Sequence, residues 1–242
     1  VSGLTTVSTV NANTAKTSLV NMGTQALIVD NKGITQDGGD LTSDHAGATT
    51  LNYKADAASV TAKTAQTSAA DYTFDNSAGA LTVNVNEYTD TTGSVINAAK
   101  ATSVTLNVAS GKSAATTPVE VTTFNGTITA AKATSVTVNA EGKLGTASAI
   151  KADEAKTATI TNGATAGQIK YDGAKTTDLT VKSGSSLDMS ASVLSAVQNA
   201  SFTMDKGALS FTTAANGNLA KASSVTLAGA DDTSKITLGN LG

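Results

Sequence analysis

A short unit recurs along most of this chain: an apolar residue is followed at once by Thr, and in five of the eight copies a Lys stands four residues before the apolar one. The apolar members are Val60, Leu81, Val104, Val136, Ile160, Leu179, Phe202 and Val225. Most neighbouring members are separated by a step in the low twenties, and the longest step runs from Val104 to Val136. A period in the low twenties that tolerates insertions is typical of a solenoid.

Short alternating runs rich in Val and Thr, bounded by Gly, Asn, Asp and Ser, predict strands throughout the chain. Each repeat also carries a second short strand, in the runs 169–171, 187–189, 209–211 and 236–238. Parallel strands cannot be joined by a tight hairpin, so such a unit must wind. We therefore predict an all-β fold, a parallel β-solenoid (β-helix) with about 23 residues per coil. Only 151–156 and 194–199 suggest a single helical turn each.

Alternation along the 104–108 run places Val104, Leu106 and Val108 on one side, which we expect to be interior, and Thr105 and Asn107 on the other. With four Phe, four Tyr and no Trp, the interior must depend largely on Val, Leu, Ile and Ala. We expect residues 1–242 to be one solenoid segment of a larger protein, with 1–55 forming less regular initial coils or a cap. Pro118, the only proline, falls in an expected insertion.

Composition argues against several classes of function. The 16 basic residues are all Lys against 19 acids, and a net charge of -3 without a basic run gives no reason to expect nucleic acid as a partner. The absence of Cys excludes disulfides, thiolate metal sites and cysteine nucleophiles. No apolar run approaches the roughly 18 residues of a membrane helix, so we expect no membrane insertion. The chain begins at Val1 without a signal peptide, as an internal piece would.

We expect no catalytic residue and no cofactor-binding residue, and hence no enzyme. His45 is the only histidine, and we expect it to be an exposed loop residue without a catalytic role. Asp37, Asp40 and Asp44 place hard oxygen ligands in a Gly-containing loop, which is the kind of site that Ca²⁺ accepts. The alternative, that these carboxylates cap turns and keep the loop soluble, stays open.

The repeated side chains suggest two further surface roles. The repeated Lys residues could bind an anionic surface polymer, although charge on an exposed corner needs no ligand. Columns of hydroxyl side chains are also found in ice-binding proteins, but unequal coil lengths, together with Ala80 and Asp178 at positions where a hydroxyl is needed, argue against a regular lattice.

Several features together resemble the central region of surface-layer (S-layer) proteins of Gram-negative bacteria, the type I-secreted group that often carries calcium-binding repeats. They are the Val1-Ser-Gly-Leu-Thr-Thr-Val opening, the Ala-Thr-Ser-Val-Thr-Leu-Asn-Val units, and the richness in Ala, Thr, Ser and Asn. The resemblance implies an extracellular lattice of β-solenoids, held together by Ca²⁺ and anchored to cell-surface polysaccharide. In this chain Asp37-Gly-Gly-Asp40-Leu lacks the full Gly-Gly-x-Gly-x-Asp repeat of that group.

We therefore predict a structural module of a bacterial cell-surface protein that self-associates into a lattice. An alternative is an adhesin or autotransporter passenger stalk that binds a host or surface glycan. A third, a β-helical polysaccharide lyase or hydrolase, is disfavoured by the lack of Arg and of inward-facing acids clustered on one strand face.

Overall fold

The computed structural model describes residues 3–10, 16–32, 40–54, 66–68, 70–86, 88–90, 93–111, 122–163, 165–211, 219–229 and 234–238. Within these ranges the protein has 25 strands and no helix. The strands pair in parallel and stack as a solenoid, so the predicted fold class is confirmed. The two predicted helical turns were wrong: 151–156 and 194–199 contain tight turns and the ends of strands.

The longest sheet has ten strands that follow one another in sequence order. They are β1 (Thr6–Val10), β3 (Leu27–Lys32), β5 (Thr49–Lys54), β8 (Ala80–Asn86), β11 (Ser103–Val108), β14 (Ser135–Ala140), β17 (Thr157–Asn162), β20 (Asp178–Ser183), β22 (Asn199–Met204) and β24 (Ser224–Gly229). Each coil adds one strand to this sheet, about 4.8 Å above the last. The segment that ends at Lys54 contributes β1, β3 and β5 to it.

A second side of the solenoid is a seven-stranded sheet. Its strands are β2 (Thr17–Leu19), β4 (Leu41–Ser43), β7 (Tyr72–Phe74), β10 (Val95–Asn97), β13 (Thr127–Thr129), β16 (Ala149–Lys151) and β19 (Lys170–Asp172). The third side consists of two four-stranded sheets, which meet where β15 contacts β18. Their strands are β6 (Gln66–Ser68), β9 (Tyr88–Asp90), β12 (Thr123–Phe124) and β15 (Lys143–Leu144), then β18 (Gly167–Gln168), β21 (Leu187–Asp188), β23 (Ala208–Ser210) and β25 (Lys235–Thr237).

Side chains alternate between interior and exterior along the strands of the ten-stranded sheet, as predicted. In β11, Val104, Leu106 and Val108 are at most 1% exposed, while Thr105 and Asn107 are half-buried on the outside. Apolar burial on one face and polar residues on the other hold each strand in a single orientation, because a slip of one residue would exchange the two faces.

The predicted alignment of the repeat was wrong by two residues in two copies. In β17 the residue beside Val136 is Ala158, not Ile160, and in β22 the same column continues through Ala200, not Phe202. All of these side chains are buried, because positions two residues apart share one face of a strand. The alternation in the sequence therefore predicts which face of the strand a residue occupies, while the hydrogen-bond register between coils decides which residues stack on one another.

The copy of the repeat at Val60 lies outside the described residues. The strand that precedes β8 in the ten-stranded sheet is therefore not the one predicted at Val60 but β5, whose Thr49 lies opposite Leu81. The step from Thr49 to Leu81 is as long as the step from Val104 to Val136, so two coils carry long connections.

All eight aromatic residues are in the interior, although they are few. Tyr53 of β5, Tyr72 of β7 and Tyr88 of β9 come from the three different sides and meet inside, with ring centroids 5.9 Å apart for Tyr53 and Tyr72 and 4.9 Å for Tyr53 and Tyr88. These large rings, edge to face for Tyr53 and Tyr72 and tilted for Tyr53 and Tyr88, fill the space that small side chains leave between three sheets.

The corner before most of the long-sheet strands is a tight turn closed by a backbone hydrogen bond, as from the Ala101 N–H to the Ala98 carbonyl at 2.9 Å. The repeated Lys sits at the third position of such turns, for example Lys100 and Lys175. In the 152–155 turn this position is Glu154, whose carboxylate lies 2.7 Å from the Lys175 ammonium of the next coil. The repeated Lys is therefore a corner residue, and Lys156 is not a member of this column.

Candidate functional site

The outward side of the ten-stranded sheet is the most regular polar surface of the molecule. One column on it carries a hydroxyl in eight consecutive strands; we call it the threonine column. Its members are Thr50, Thr82, Thr105, Thr137, Thr159, Thr180, Ser201 and Thr226. β-Branched side chains stacked in register pack well on a pleated surface while keeping their hydroxyls toward water.

Two residues further along the strands, five side chains form a hydrogen-bonded column, here called the asparagine ladder. Its members are Asp30, Asn52, Asn84, Asn107 and Asn139. Each Asn donates its side-chain N–H to the side-chain oxygen of the preceding coil, over 2.7 to 2.9 Å, and the Asp30 carboxylate accepts the first of these bonds. All the amides therefore point the same way along the solenoid axis.

The ladder was not predicted, although Asn107 was expected on the outside. Its signal in the sequence is an Asn three residues after the apolar member of three repeats, at positions 84, 107 and 139. Strands β8, β11, β14 and β17, which form the middle of this surface, contain no charged residue. We call the combined surface of the threonine column and the asparagine ladder the threonine–asparagine face.

The two residues that argued against a regular hydroxyl lattice both lie beside the threonine column. Ala80 pairs with Ser103, and Asp178 pairs with Thr157. The Asp178 carboxylate accepts a hydrogen bond from the Asn199 amide at 2.8 Å, which together with a bond from the Thr177 hydroxyl lowers the pKa of this carboxyl.

Of the three predicted calcium ligands, Asp40 joins two coils through its carboxylate. The carboxylate accepts the backbone N–H of Asp71 at 3.1 Å and lies 3.7 Å from the Lys16 ammonium. Asp71 repeats the arrangement, accepting the Val95 N–H at 2.9 Å. Asp37 lies outside the described residues. Within those residues, no group of three or more His, Cys, Asp or Glu could hold a metal ion.

Asp44 also bonds to the backbone of a neighbouring coil. Its two carboxylate oxygens accept the N–H groups of Asn21 and Met22 at 2.7 and 2.9 Å. These two bonds lower the pKa of the carboxyl, since each stabilises the charged form. Asp40 and Asp44 thus accept backbone N–H groups of neighbouring coils, and calcium binding by the loop stays a prediction.

The expectation that His45 is exposed was wrong. Leu41, Ser43 and His45 are all buried, because the inward alternation of β4 continues two residues beyond the strand. The imidazole lies 3.0 Å from the Ser43 hydroxyl through Nδ1 and 2.8 Å from the Thr49 hydroxyl through Nε2. Thr49 in turn contacts Ser77, whose hydroxyl donates to the Gly47 carbonyl.

The buried position also changes the pKa of the His45 imidazole. Burial lowers the pKa of the imidazole below its usual 6.5, and the neighbouring Asp44 carboxylate opposes this only in part. Both ring nitrogens are hydrogen-bonded to hydroxyl groups inside the solenoid.

A surface groove of about 730 Å³ lies at one end of the strands β17, β20 and β22. It is lined by Thr161, Asn162, Gly163, Lys182, Ser183, Gly184, Thr203, Asp205 and Lys206. Beneath it the Asn162 amide donates to the hydroxyls of Ser183 and Ser185, at 2.9 and 3.1 Å. The sequence analysis missed this groove because its residues come from three successive coils.

No family model matches this chain, and comparison with curated proteins and with solved structures finds no similar protein. The part of the chain that the structure describes contains no helix long and apolar enough to cross a membrane.

We predict that the asparagine ladder stabilises the stack additively. Asn107→Ala removes two ladder bonds and should lower the free energy of unfolding by about 2 kcal/mol, whereas Asn139→Ala removes one and should lower it by about 1 kcal/mol. Urea denaturation followed by circular dichroism measures both. Equal losses of unfolding free energy in the two variants would show that the number of ladder bonds removed does not matter and would contradict the prediction.

We also predict that acid destabilises the protein through His45. The imidazole of the unfolded chain takes up a proton at its usual pKa, whereas the buried imidazole of the folded chain does so only at lower pH. The free energy of unfolding is therefore fully present above pH 6.5 and falls as the pH drops below that value. The single imidazole gives one set of NMR resonances, whose titration midpoint should lie below 6.5. A midpoint at or above that value contradicts the prediction. In His45→Gln, the melting temperature should change less between about pH 7 and about pH 5.

Proposed function

We propose that this chain is a structural module of an extracellular bacterial surface-layer protein that self-associates into a lattice. The observation that carries the proposal is the in-register stacking of polar side chains on the threonine–asparagine face. Four ladder amides and the Asp30 carboxylate bond to one another along five coils, so these polar groups stiffen a surface instead of converging on a reacting atom. A stiff, repetitive surface without charge at its centre suits assembly between molecules.

The environment of His45 supports a non-enzymatic role. A serine–histidine relay needs an imidazole that can reach a substrate. Here the ring is fully buried, and Ser43 and Thr49 occupy its two nitrogens. The resemblance to surface-layer proteins favours an extracellular location on the bacterial surface.

Calcium enters the proposal through the loop that contains Asp37, Asp40 and Asp44. The Asp40 carboxylate makes one amide bond and one long ion pair at the surface, which leaves lone pairs for a hard cation. Cell-surface polysaccharide, the anchor that the resemblance implies, is the second partner that we propose.

The proposal predicts ordered two-dimensional sheets in negative-stain electron microscopy when Ca²⁺ is added, and none when Mg²⁺ is added in its place. Asp40→Asn should raise the Ca²⁺ concentration needed, because it removes a charged oxygen ligand. Asp188→Asn, on the third side of the solenoid, serves as the matched control. A protein that stays monomeric at every Ca²⁺ concentration contradicts a lattice role for this chain.

The groove favours a second candidate, an adhesin stalk that binds an anionic glycan. Lys182 and Lys206 line the groove together with several hydroxyls, which can hydrogen-bond sugars. This candidate predicts binding to acidic glycans on an array, weakened roughly tenfold by Lys206→Ala and unchanged by Lys151→Ala on the seven-stranded side. Binding that both variants weaken equally would reflect net charge alone and would count against the groove.

A further inference from the structure

The asparagine ladder leaves hydrogen-bonding capacity on the outer surface. A primary amide has two N–H donors and two oxygen lone pairs. Asn84 and Asn107 each use one donor and one lone pair within the ladder. The remaining N–H and lone pair of each amide can bond an outside partner. A second primary amide satisfies both at once, since each amide donates to the other and accepts from it.

The charges at the two ends of this surface favour one arrangement of two copies. The outward column that contains the ladder continues through Thr161 to Lys182 in β20. Asp30 lies three strands before β11 in the sheet, and Lys182 lies three strands after it. A two-fold axis can relate the two molecules if it runs parallel to the strands and passes over β11. The coils of the second molecule then follow one another in the opposite order. Each column still faces the same column of the second molecule. Asp30 of each molecule then faces Lys182 of the other.

The dimensions of the surface also fit such a pair. About nine strands overlap in this arrangement, which gives a contact of roughly 38 Å by 17 to 20 Å, or about 700 Å² per copy. Stable interfaces bury about 800 Å² per partner. The four strands β8, β11, β14 and β17 place an uncharged region at the centre, and Asp30 and Lys182 are at its edges, as in many interfaces.

We propose that the threonine–asparagine face binds the same face of a second copy of this chain, antiparallel, about a two-fold axis over β11. The inference deepens the proposed function, on whose premise of self-association it rests, by naming the surface through which two copies meet. Thr105 and Asn107 contact their own copies at the centre. Thr50, two strands before β11, lies opposite Thr159, two strands after it.

Chemical cross-linking tests the arrangement cleanly because the chain has no Cys. Packed sheets lie about 10 Å apart, so a short bis-maleimide is the suitable reagent and a disulfide is too short. Thr105→Cys should give covalent dimers in the full chain. Thr50→Cys should give few alone, and many when mixed with Thr159→Cys. Thr129→Cys, on β13 of the seven-stranded side, is the control and should give few.

Two results would overturn the inference. One is efficient cross-linking of the Thr129→Cys control with none for Thr105→Cys, which would place the contact on another side. The other is failure of both Thr105→Cys and the mixed pair while circular dichroism shows the folded spectrum.

Charge reversal gives an independent measurement. Lys182→Glu and Asp30→Lys should each weaken dimerisation about tenfold in sedimentation equilibrium, because each places two like charges face to face. The double variant restores opposite charges and should recover most of the affinity. Asp30→Lys also removes the first ladder bond, so the recovery in the double variant is the decisive result. Additive weakening in the double variant would contradict the arrangement.

The outcomes also separate this inference from the proposed function. Cross-linked dimers without Ca²⁺-induced sheets would support the face and contradict the lattice role. Sheets that persist in Lys182→Glu, together with unchanged dimerisation, would support the lattice role and overturn the antiparallel face.

Discussion

Parallel pairing of the backbone between successive coils is the interaction on which the rest of the structure depends. It holds equivalent residues about 4.8 Å apart along the solenoid axis. At that distance a side chain on one coil meets its counterpart on the next, as Asn107 meets Asn84 and Asn139. The regular surface is therefore a consequence of the register, and any change that shifted one coil would break every column that crosses it.

The stacking of coils also places equivalent residues in columns in the interior. Columns of Val, Leu and Ile fill most of the space, and the three tyrosines Tyr53, Tyr72 and Tyr88 join the three sides near one end. Some polar groups in the interior are bonded to one another, as His45 is to Ser43 and Thr49. An unpaired polar group in this position would cost about 1 to 3 kcal/mol, so such clusters restrict which residues can stack there.

Several charged side chains on the outside connect one coil to the next. Asp44 binds the backbone N–H groups of Asn21 and Met22, and Glu154 pairs with Lys175. The exposed pair contributes little to stability, because solvent screens it. The Glu154–Lys175 pair still illustrates how the surface is organised. Its two members lie on successive coils, and such contacts are spread along the solenoid axis and do not converge on one point. Such a molecule has extended faces of repeated side chains.

The sequence alone determined the fold class, the approximate coil length and the inward and outward sides of the strands, because a period of two along a strand and a period in the low twenties between strands are both local patterns. It did not determine which residues stack: Ala158 and Ile160 share one face, and only the backbone register between coils distinguishes them. The asparagine ladder and the groove lined by Lys182 depend on the same register. These features join residues that lie on different coils and far apart along the chain, and a local pattern does not specify contacts of that kind. Only the tertiary structure decided them, since it brings the coils into contact.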